Sequence, residues 1–271
     1  MKPCLNQNTL RTTPTEAFLE VARRAEFDAI ELTMGEVEPI IEKGAITQLK
    51  KKIEDNGLTV ASINGPEKFN LLTEEEFGTL LSRTKKVAMA SIEIGCTLLV
   101  PVPSPFKDHA SVDTVVTQAT QSLNGLTEVC GSDICLGLEF LGEERCSINT
   151  LNAAVKVINS VAKHNVGLVV DSFHMHLSKT ALSELAHIQS NRLFLVHVND
   201  SEAGDPRKLT DANRLLPGDG VMKLQDLKQS LVRIGYDGFL SLELFKPSYW
   251  QQDPQQVAKI CRESLKHVFE V

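Results

Sequence analysis

Four side chains with the chemistry of metal ligands stand at the ends of apolar runs: Glu139 after residues 134–138, Asp171 after 166–170, His197 after 193–196 and Glu243 within 239–244. One carboxylate in such a place can simply cap a helix, and one histidine is often a satisfied structural group. Together, three carboxylates repel one another unless a cation lies between them. The set therefore predicts one divalent metal site, and its oxygen and nitrogen donors suit Mn²⁺, Zn²⁺, Co²⁺ or Mg²⁺.

The elements that would position these residues recur along the whole chain. Apolar runs span residues 3–6, 29–32, 59–64, 97–102, 134–139, 166–171, 193–197 and 239–244. The distance from the start of one run to the start of the next is long enough for a strand, a helix and two loops. Several runs are apolar throughout, which is typical of strands in a parallel sheet that helices cover on its faces. We see no linker, so the 271 residues predict one α/β domain, residues 1–271, folded as a (β/α)₈ TIM barrel. A doubly wound open sheet is the alternative.

Signals at the joints between elements support this order. Thr13-Pro14 predicts a helix capped by Thr13 with Pro14 in its first turn, Thr73 begins a capping box, and Asp253 precedes a proline at another helix start. A weak internal sequence similarity relates residues 27–32 (FDAIEL) to residues 236–244 (YDGFLSLEL). Both lie where a helix-like stretch passes into a strand-like run.

Polar side chains follow the same strand ends and predict a polyhydroxylated ligand. In a TIM barrel the active site lies where the strands end and the following loops begin. His174 and Asp200 each follow a metal candidate by three positions, and Arg214 precedes a glycine-rich turn at residues 215–220. Asn6 and Asn64 end early strands and are candidates for binding substrate hydroxyls, although asparagine there can serve a turn instead.

Bulk properties exclude several classes of protein. A net charge of −7 disfavours a nucleic-acid footprint, and the six cysteines form no C-x-x-C pair. The N-terminus lacks the apolar core of a signal peptide, and we find no run of about 18 apolar residues and no G-x-S-x-G, Walker A or H-E-x-x-H motif. These features predict a cytoplasmic protein with a small-molecule partner, without nucleic acid or membrane, and leave a homo-oligomer open.

Five segments carry a resemblance to a known family: residues 138–150 (LEFLGEERCSINT), 165–176 (NVGLVVDSFHMH), 197–200 (HVND), 209–220 (LTDANRLLPGDG) and 241–250 (SLELFKPSYW). Over essentially its full length the chain resembles the xylose-isomerase-like superfamily of TIM-barrel sugar isomerases and epimerases, and within it the inosose isomerases of myo-inositol catabolism. The resemblance implies that Glu139, Asp171, His197 and Glu243 bind the metal and that His174 and Arg214 contact substrate oxygens.

The resemblance implies a reaction that moves a carbonyl to the adjacent carbon through an enediolate, interconverting 2-keto-myo-inositol and 1-keto-D-chiro-inositol. The expected roles are Glu243 as base, Glu139 as acid/base partner or pure ligand, and His174 with Arg214 as groups that orient hydroxyls and polarise the carbonyl. Ketose or keto-polyol epimerisation and inosose dehydration remain alternatives, because they share an enolate. Ketose epimerases carry an acidic residue where this chain has Arg145, which disfavours that activity.

Two readings from other classes are weaker. A non-catalytic barrel that binds a polyol would not need all four ligand positions. A DNA-repair endonuclease on the same barrel would need further histidines in the site and a basic face. Four of the seven histidines lie away from strand ends: His109, His164, His187 and His267.

Overall fold

A computed structural model of the chain describes residues 1–106 and 110–271, so His109 lies outside the described residues. Its strands are β1 Lys2–Asn6, β2 Ala29–Thr33, β3 Thr59–Glu67, β4 Leu98–Val102, β5 Cys135–Glu139, β6 Val166–Asp171, β7 Leu193–Val198, β8 Asp200–Ser201, β9 Arg214–Leu215 and β10 Phe239–Leu242. Eight of the strands described close into a parallel barrel in the order β1-β10-β7-β6-β5-β4-β3-β2. The predicted TIM barrel is confirmed, and each of the eight apolar runs forms one of its strands.

Helices surround the barrel: α1 Thr15–Arg24, α2 Met34–Glu42, α3 Ile46–Asp55, α4 Glu74–Glu93, α5 Val112–Cys130, α6 Leu151–Val161, α7 Ser172–Leu177, α8 Leu224–Arg233, α9 Pro247–Trp250 and α10 Pro254–Phe269. The Thr73 capping box and the Asp253 cap are confirmed, since both side chains accept backbone N–H groups. The predicted Thr13 cap is wrong. Pro14 has an extended ψ of 145°, so α1 begins one residue later without a side-chain cap. Within the described residues, no helix combines the length and apolar character needed to cross a membrane.

The register of the barrel collects polar side chains at the carboxyl ends of its strands. Paired positions on adjacent strands point to the same face of the sheet. Glu31 is paired with Asn6 and Ser62, and His197 is paired with Asp171 and Ser241. Below them, a separate cluster of buried apolar side chains comprises Leu98, Val100, Val169 and Leu195. A layer of polar side chains therefore lies at the carboxyl end of the barrel, on top of an apolar layer that fills the barrel interior.

A two-stranded antiparallel ribbon follows β7, pairing β8 with β9, and it carries Arg214. The buried Asp200 carboxylate holds this ribbon to the next loop. Its Oδ1 accepts the backbone N–H groups of Ser201 (2.8 Å) and Met222 (2.9 Å), and its Oδ2 accepts that of Gly218 (3.1 Å). A Cβ added at Gly220 would collide with this carboxylate, so only glycine fits there. The geometry gives Asp200 a structural role, and its predicted contact with substrate stays untested.

We expect Asp200→Asn to loosen this loop. The amide keeps one acceptor oxygen and points an NH₂ group at a backbone donor, which leaves buried groups unsatisfied and costs about 1–3 kcal/mol of unfolding free energy. Amide hydrogen exchange at Gly218 and Met222 should accelerate in the protein alone. Asp205→Asn is the matched control, because within the described residues that half-buried carboxylate accepts hydrogen bonds from Arg207 alone. Unchanged exchange together with weaker substrate binding would instead make Asp200 a substrate contact.

Candidate metal centre

Four buried donors meet at the mouth of the barrel. Glu139 ends β5, Asp171 ends β6, His197 lies in β7 and Glu243 directly follows β10, and these strands are consecutive neighbours. One ligand atom from each lies within 4.8 Å of all the others. The four side chains that the sequence singled out are therefore brought together by strand order and register.

The imidazole of His197 presents one nitrogen to the three carboxylates. Its Nδ1 lies 2.9 Å from Glu139 Oε1, 3.4 Å from Glu243 Oε2 and 4.0 Å from Asp171 Oδ2. Its Nε2 lies on the opposite side of the ring, 2.9 Å from Glu31 Oε1. Burial opposes protonation of the ring, but the surrounding carboxylates outweigh it and raise the pKa of His197 well above its ordinary value.

The carboxylates differ in how well their charge is compensated. Burial, with help from Glu139 and Asp171, raises the pKa of Glu243 to about 8, against the lowering effect of His197 and Arg214. Burial also disfavours ionised Asp171, but Arg214 and the two nearby histidines outweigh it and hold its pKa below the ordinary range. The buried centre therefore carries more negative charge than Arg214 and His197 offset.

Arg214 is buried at the edge of this cluster. Its Nη1 donates to Asp171 Oδ2 at 2.6 Å and to Glu243 Oε2 at 3.2 Å, while its Nε donates to Asp211 Oδ1 at 2.9 Å. The guanidinium also lies over two aromatic rings, at 5.0 Å from the centre of Phe173 and 5.1 Å from that of Phe245. Ion pairs and cation–π contacts together fix its orientation.

His174 lies next to Arg214 and has an unsatisfied nitrogen. Its Nε2 is 3.2 Å from Arg214 Nη2, and because a guanidinium can only donate, Nε2 is the acceptor and Nδ1 carries the proton. Among the described residues, this buried Nδ1 has no hydrogen-bond partner. Unpaired buried donors are rare in folded proteins, so the Nδ1–H of His174 is a hydrogen-bonding group that the described residues leave unused.

Three asparagine amides converge on one oxygen of Glu243. Oε1 accepts from Asn6 Nδ2 at 3.0 Å, and from Asn8 Nδ2 and Asn64 Nδ2 at 3.4 Å each. Asn6 is fully buried and also donates to Glu31, whereas Asn64 is half-buried. The structure therefore gives Asn6 and Asn64 a contact that orients Glu243, and their predicted binding of substrate hydroxyls stays untested. The sequence did not single out Asn8.

Sequence reasoning also missed Glu31. This fully buried carboxylate accepts from Asn6, Ser62 and Ser241 and contacts His197 Nε2. Burial raises its pKa, but His197 and the two hydroxyls outweigh that effect and lower it overall. Two features of the sequence could have identified Glu31. It is a glutamate inside an apolar run, and the internal similarity aligns residues 27–32 with the segment that contains Glu243.

An open cavity of about 930 Å³ leads to the cluster. Four buried side chains line this cavity: Glu139, His174, Arg214 and Glu243. The half-buried Asn64 and the exposed Arg145 line it as well, whereas Asn6 and Asp200 do not. A polyhydroxylated molecule entering here would meet two carboxylates, an imidazole and a guanidinium.

The residues present fit a divalent ion. One nitrogen and three carboxylate oxygens converge from rigid strands, and a doubly charged cation offsets the excess negative charge. The backbone N–H groups of Phe173 (2.6 Å) and His174 (3.3 Å) bond Asp171 Oδ1, which holds that carboxylate in a fixed orientation.

Comparison with known proteins agrees with this architecture. An inosose isomerase from Halalkalibacterium halodurans is 27% identical over 99% of this chain and 96% of its own length. A D-psicose 3-epimerase from Enterocloster bolteae is 23% identical over 81% of this chain and 73% of its own. The crystal structure of the IOLI protein with a bound zinc atom superposes with a TM-score of 0.95 at 24% identity, covering 100% and 98% of the two chains.

The family model described as xylose isomerase-like TIM barrel matches residues 19–268. That span runs from within α1 to within α10 and contains every donor of the metal cluster. The chain therefore belongs to the xylose isomerase-like TIM barrel family.

Proposed function

We propose that this protein is a metal-dependent isomerase that interconverts 2-keto-myo-inositol and 1-keto-D-chiro-inositol. The observation that carries the proposal is the convergence of four donors within 4.8 Å, two of which, Glu139 and Glu243, line a cavity of about 930 Å³. Similarity to an inosose isomerase over 99% of the chain supports the choice of substrate.

In this proposal Glu139, Asp171, His197 and Glu243 hold one divalent ion, with Mn²⁺, Zn²⁺, Co²⁺ and Mg²⁺ as candidates. When bound, the ion supplies Lewis-acid stabilisation of the negative charge that develops on the substrate oxygens. The zinc in the structure of the IOLI protein is consistent with the oxygen and nitrogen donors here.

The chain's own residues handle orientation and the proton. Glu243, which lines the cavity, removes the proton from the carbon next to the carbonyl and returns it to the former carbonyl carbon. Glu139 serves as the acid/base partner or only as a ligand. The unpaired Nδ1–H of His174 donates to a substrate oxygen, and Arg214 holds the neighbouring hydroxyl.

Epimerisation of a ketose or keto-polyol is the second candidate, because the same deprotonation begins it and an epimerase is among the relatives. Inosose dehydration begins in the same way. Arg145 on the cavity wall, in place of the acidic residue of ketose epimerases, favours the isomerase. NMR of the product distinguishes the three outcomes.

The remaining proposals concern the whole molecule. We infer that residues 1–271 act as one domain, since the barrel draws its strands from both ends of the chain. We propose a keto-polyol as the small-molecule partner and the cytoplasm as the location. A homo-oligomer stays open.

The first test is proton exchange. Incubated with the protein and Mn²⁺ in D₂O, 2-keto-myo-inositol should gain deuterium next to its carbonyl and give 1-keto-D-chiro-inositol by NMR. Removing the metal with EDTA should abolish both signals, and adding Mn²⁺ or Zn²⁺ back should restore them. Full turnover by protein shown by elemental analysis to be metal-free would refute the proposal.

The second test addresses the base. Glu243→Gln should lower kcat by roughly 10²-fold or more, because the amide cannot take up the proton. Metal content is measured alongside, so that a lost ligand is distinguished from a lost base. Glu263→Gln on α10 is the control, since that side chain is exposed and, within the part of the chain that the structure describes, contacts just Lys259, at 3.9 Å. A metal-loaded Glu243→Gln protein with ordinary kcat would exclude Glu243 as the base.

A further inference from the structure

We propose that Glu31 is a positioning residue that fixes the tautomer and ring orientation of His197 and thereby sets the affinity of the metal centre. The inference rests on the proposed metal site, and it assigns a function to a side chain that neither lines the cavity nor belongs to the ligand cluster.

Glu31 is held from four other strands of the barrel. Asn6 of β1, Ser62 of β3 and Ser241 of β10 donate to it, and Nε2 of His197 in β7 lies 2.9 Å from Oε1 and 3.2 Å from Oε2. Both carboxylate oxygens are therefore fully engaged. The side chain has little freedom to rotate and presents a fixed acceptor to the imidazole.

The imidazole separates Glu31 from the ligand carboxylates. Glu31 faces Nε2, whereas Glu139, Asp171 and Glu243 face Nδ1. Glu31 is thus on the wrong side of the ring to act as a further ligand. It occupies the place from which a carboxylate can hold a metal-binding histidine in one tautomer.

The tautomer decides whether His197 can bind a metal at all. A neutral imidazole carries one N–H, and an ionised carboxylate can only accept a hydrogen bond. Glu31 therefore holds the proton on Nε2 and leaves the lone pair of Nδ1 directed at the ligand cluster. Without Glu31, Glu139 Oε1 at 2.9 Å from Nδ1 would accept the proton there, and the lone pair would point away from the metal.

A second branch of the same network reaches Glu243. Nδ2 of Asn6 lies 3.0 Å from both Glu31 Oε1 and Glu243 Oε1. Because one amide group joins both carboxylates, the position of Glu31 also bears on that of Glu243. Two of the four proposed ligands are linked in this way to one buried side chain.

A purely structural role is the competing explanation, since Glu31 ties several strands together. The charge argues against it. A buried carboxylate is costly to desolvate, and cross-strand ties can be made by neutral groups. An ionised carboxylate that faces Nε2 directly also keeps the proton on that nitrogen, which a neutral amide or hydroxyl would not ensure.

The test is zinc affinity, measured by competition with a chromogenic chelator. Glu31→Gln should weaken Zn²⁺ binding 10- to 100-fold, because the amide can turn its NH₂ towards Nε2 and release the tautomer. Ser91→Ala is the control: it removes a buried hydroxyl bonded to the Cys96 carbonyl, neither residue belongs to the ligand cluster, and the change should affect stability without changing zinc affinity. Thermal unfolding of each metal-free protein separates the two effects.

A second measurement does not depend on any variant folding. Long-range ¹H–¹⁵N NMR of the zinc-loaded wild-type protein should show His197 protonated at Nε2 and coordinated through Nδ1. A proton on Nδ1, coordination through Nε2, or ordinary zinc affinity in Glu31→Gln would each overturn the inference. A wild-type protein that binds no zinc, Mn²⁺ or Co²⁺ would instead overturn the metal centre itself, together with this inference.

Discussion

Mutual repulsion among buried carboxylates is the constraint on which the rest of this site depends. Four carboxylates here are at most 3% exposed: Glu31, Glu139, Asp171 and Glu243. The groups among them that can offset this charge are the Arg214 guanidinium, which is always ionised, and the His197 imidazole. Charges this close are tolerated only where each has good hydrogen-bond donors or a cation. The asparagine amides, the hydroxyls of β3 and β10, and the backbone N–H groups that begin α7 supply those donors. A divalent ion bound by the four donors would supply the charge that the protein itself does not.

The residues around that cluster are of two kinds: the proposed ligand-binding side chains, and the residues that keep those side chains in position. The donors come from barrel strands, whose positions are set by continuous parallel pairing. Arg214 comes from the β8–β9 ribbon outside the barrel, and it is held by Asp211, by contacts with two phenylalanine rings and by the loop that Asp200 ties to the ribbon. A side chain outside the barrel strands needs such support to be placed as exactly as one within them.

The relatives illustrate how little of the chemistry is decided by the centre alone. Inosose isomerases and D-psicose 3-epimerases both resemble this chain, and both reaction types begin by removing a proton next to a carbonyl. Under the proposed function, selection between these reactions would fall to residues of the cavity wall, of which Arg145 is one. A fold and a metal site define what chemistry is possible, and the surrounding side chains select within it.

The eight strands could be predicted from the apolar runs alone, because strands covered on both faces are apolar throughout. In a TIM barrel the carboxyl ends of all strands lie at one end, and this predicted that the four ligand-type side chains would lie together there. What only the tertiary structure decided depends on closure and register. Glu31 reaches His197 across 166 positions and Ser241 across 210, and no local pattern encodes such contacts. The same holds for Asn6, Asn8 and Asp200, whose amides and carboxylate bind other parts of the protein. Residue type and strand position indicate which groups can do chemistry; three-dimensional packing decides which of them face the ligand and which hold the others in place.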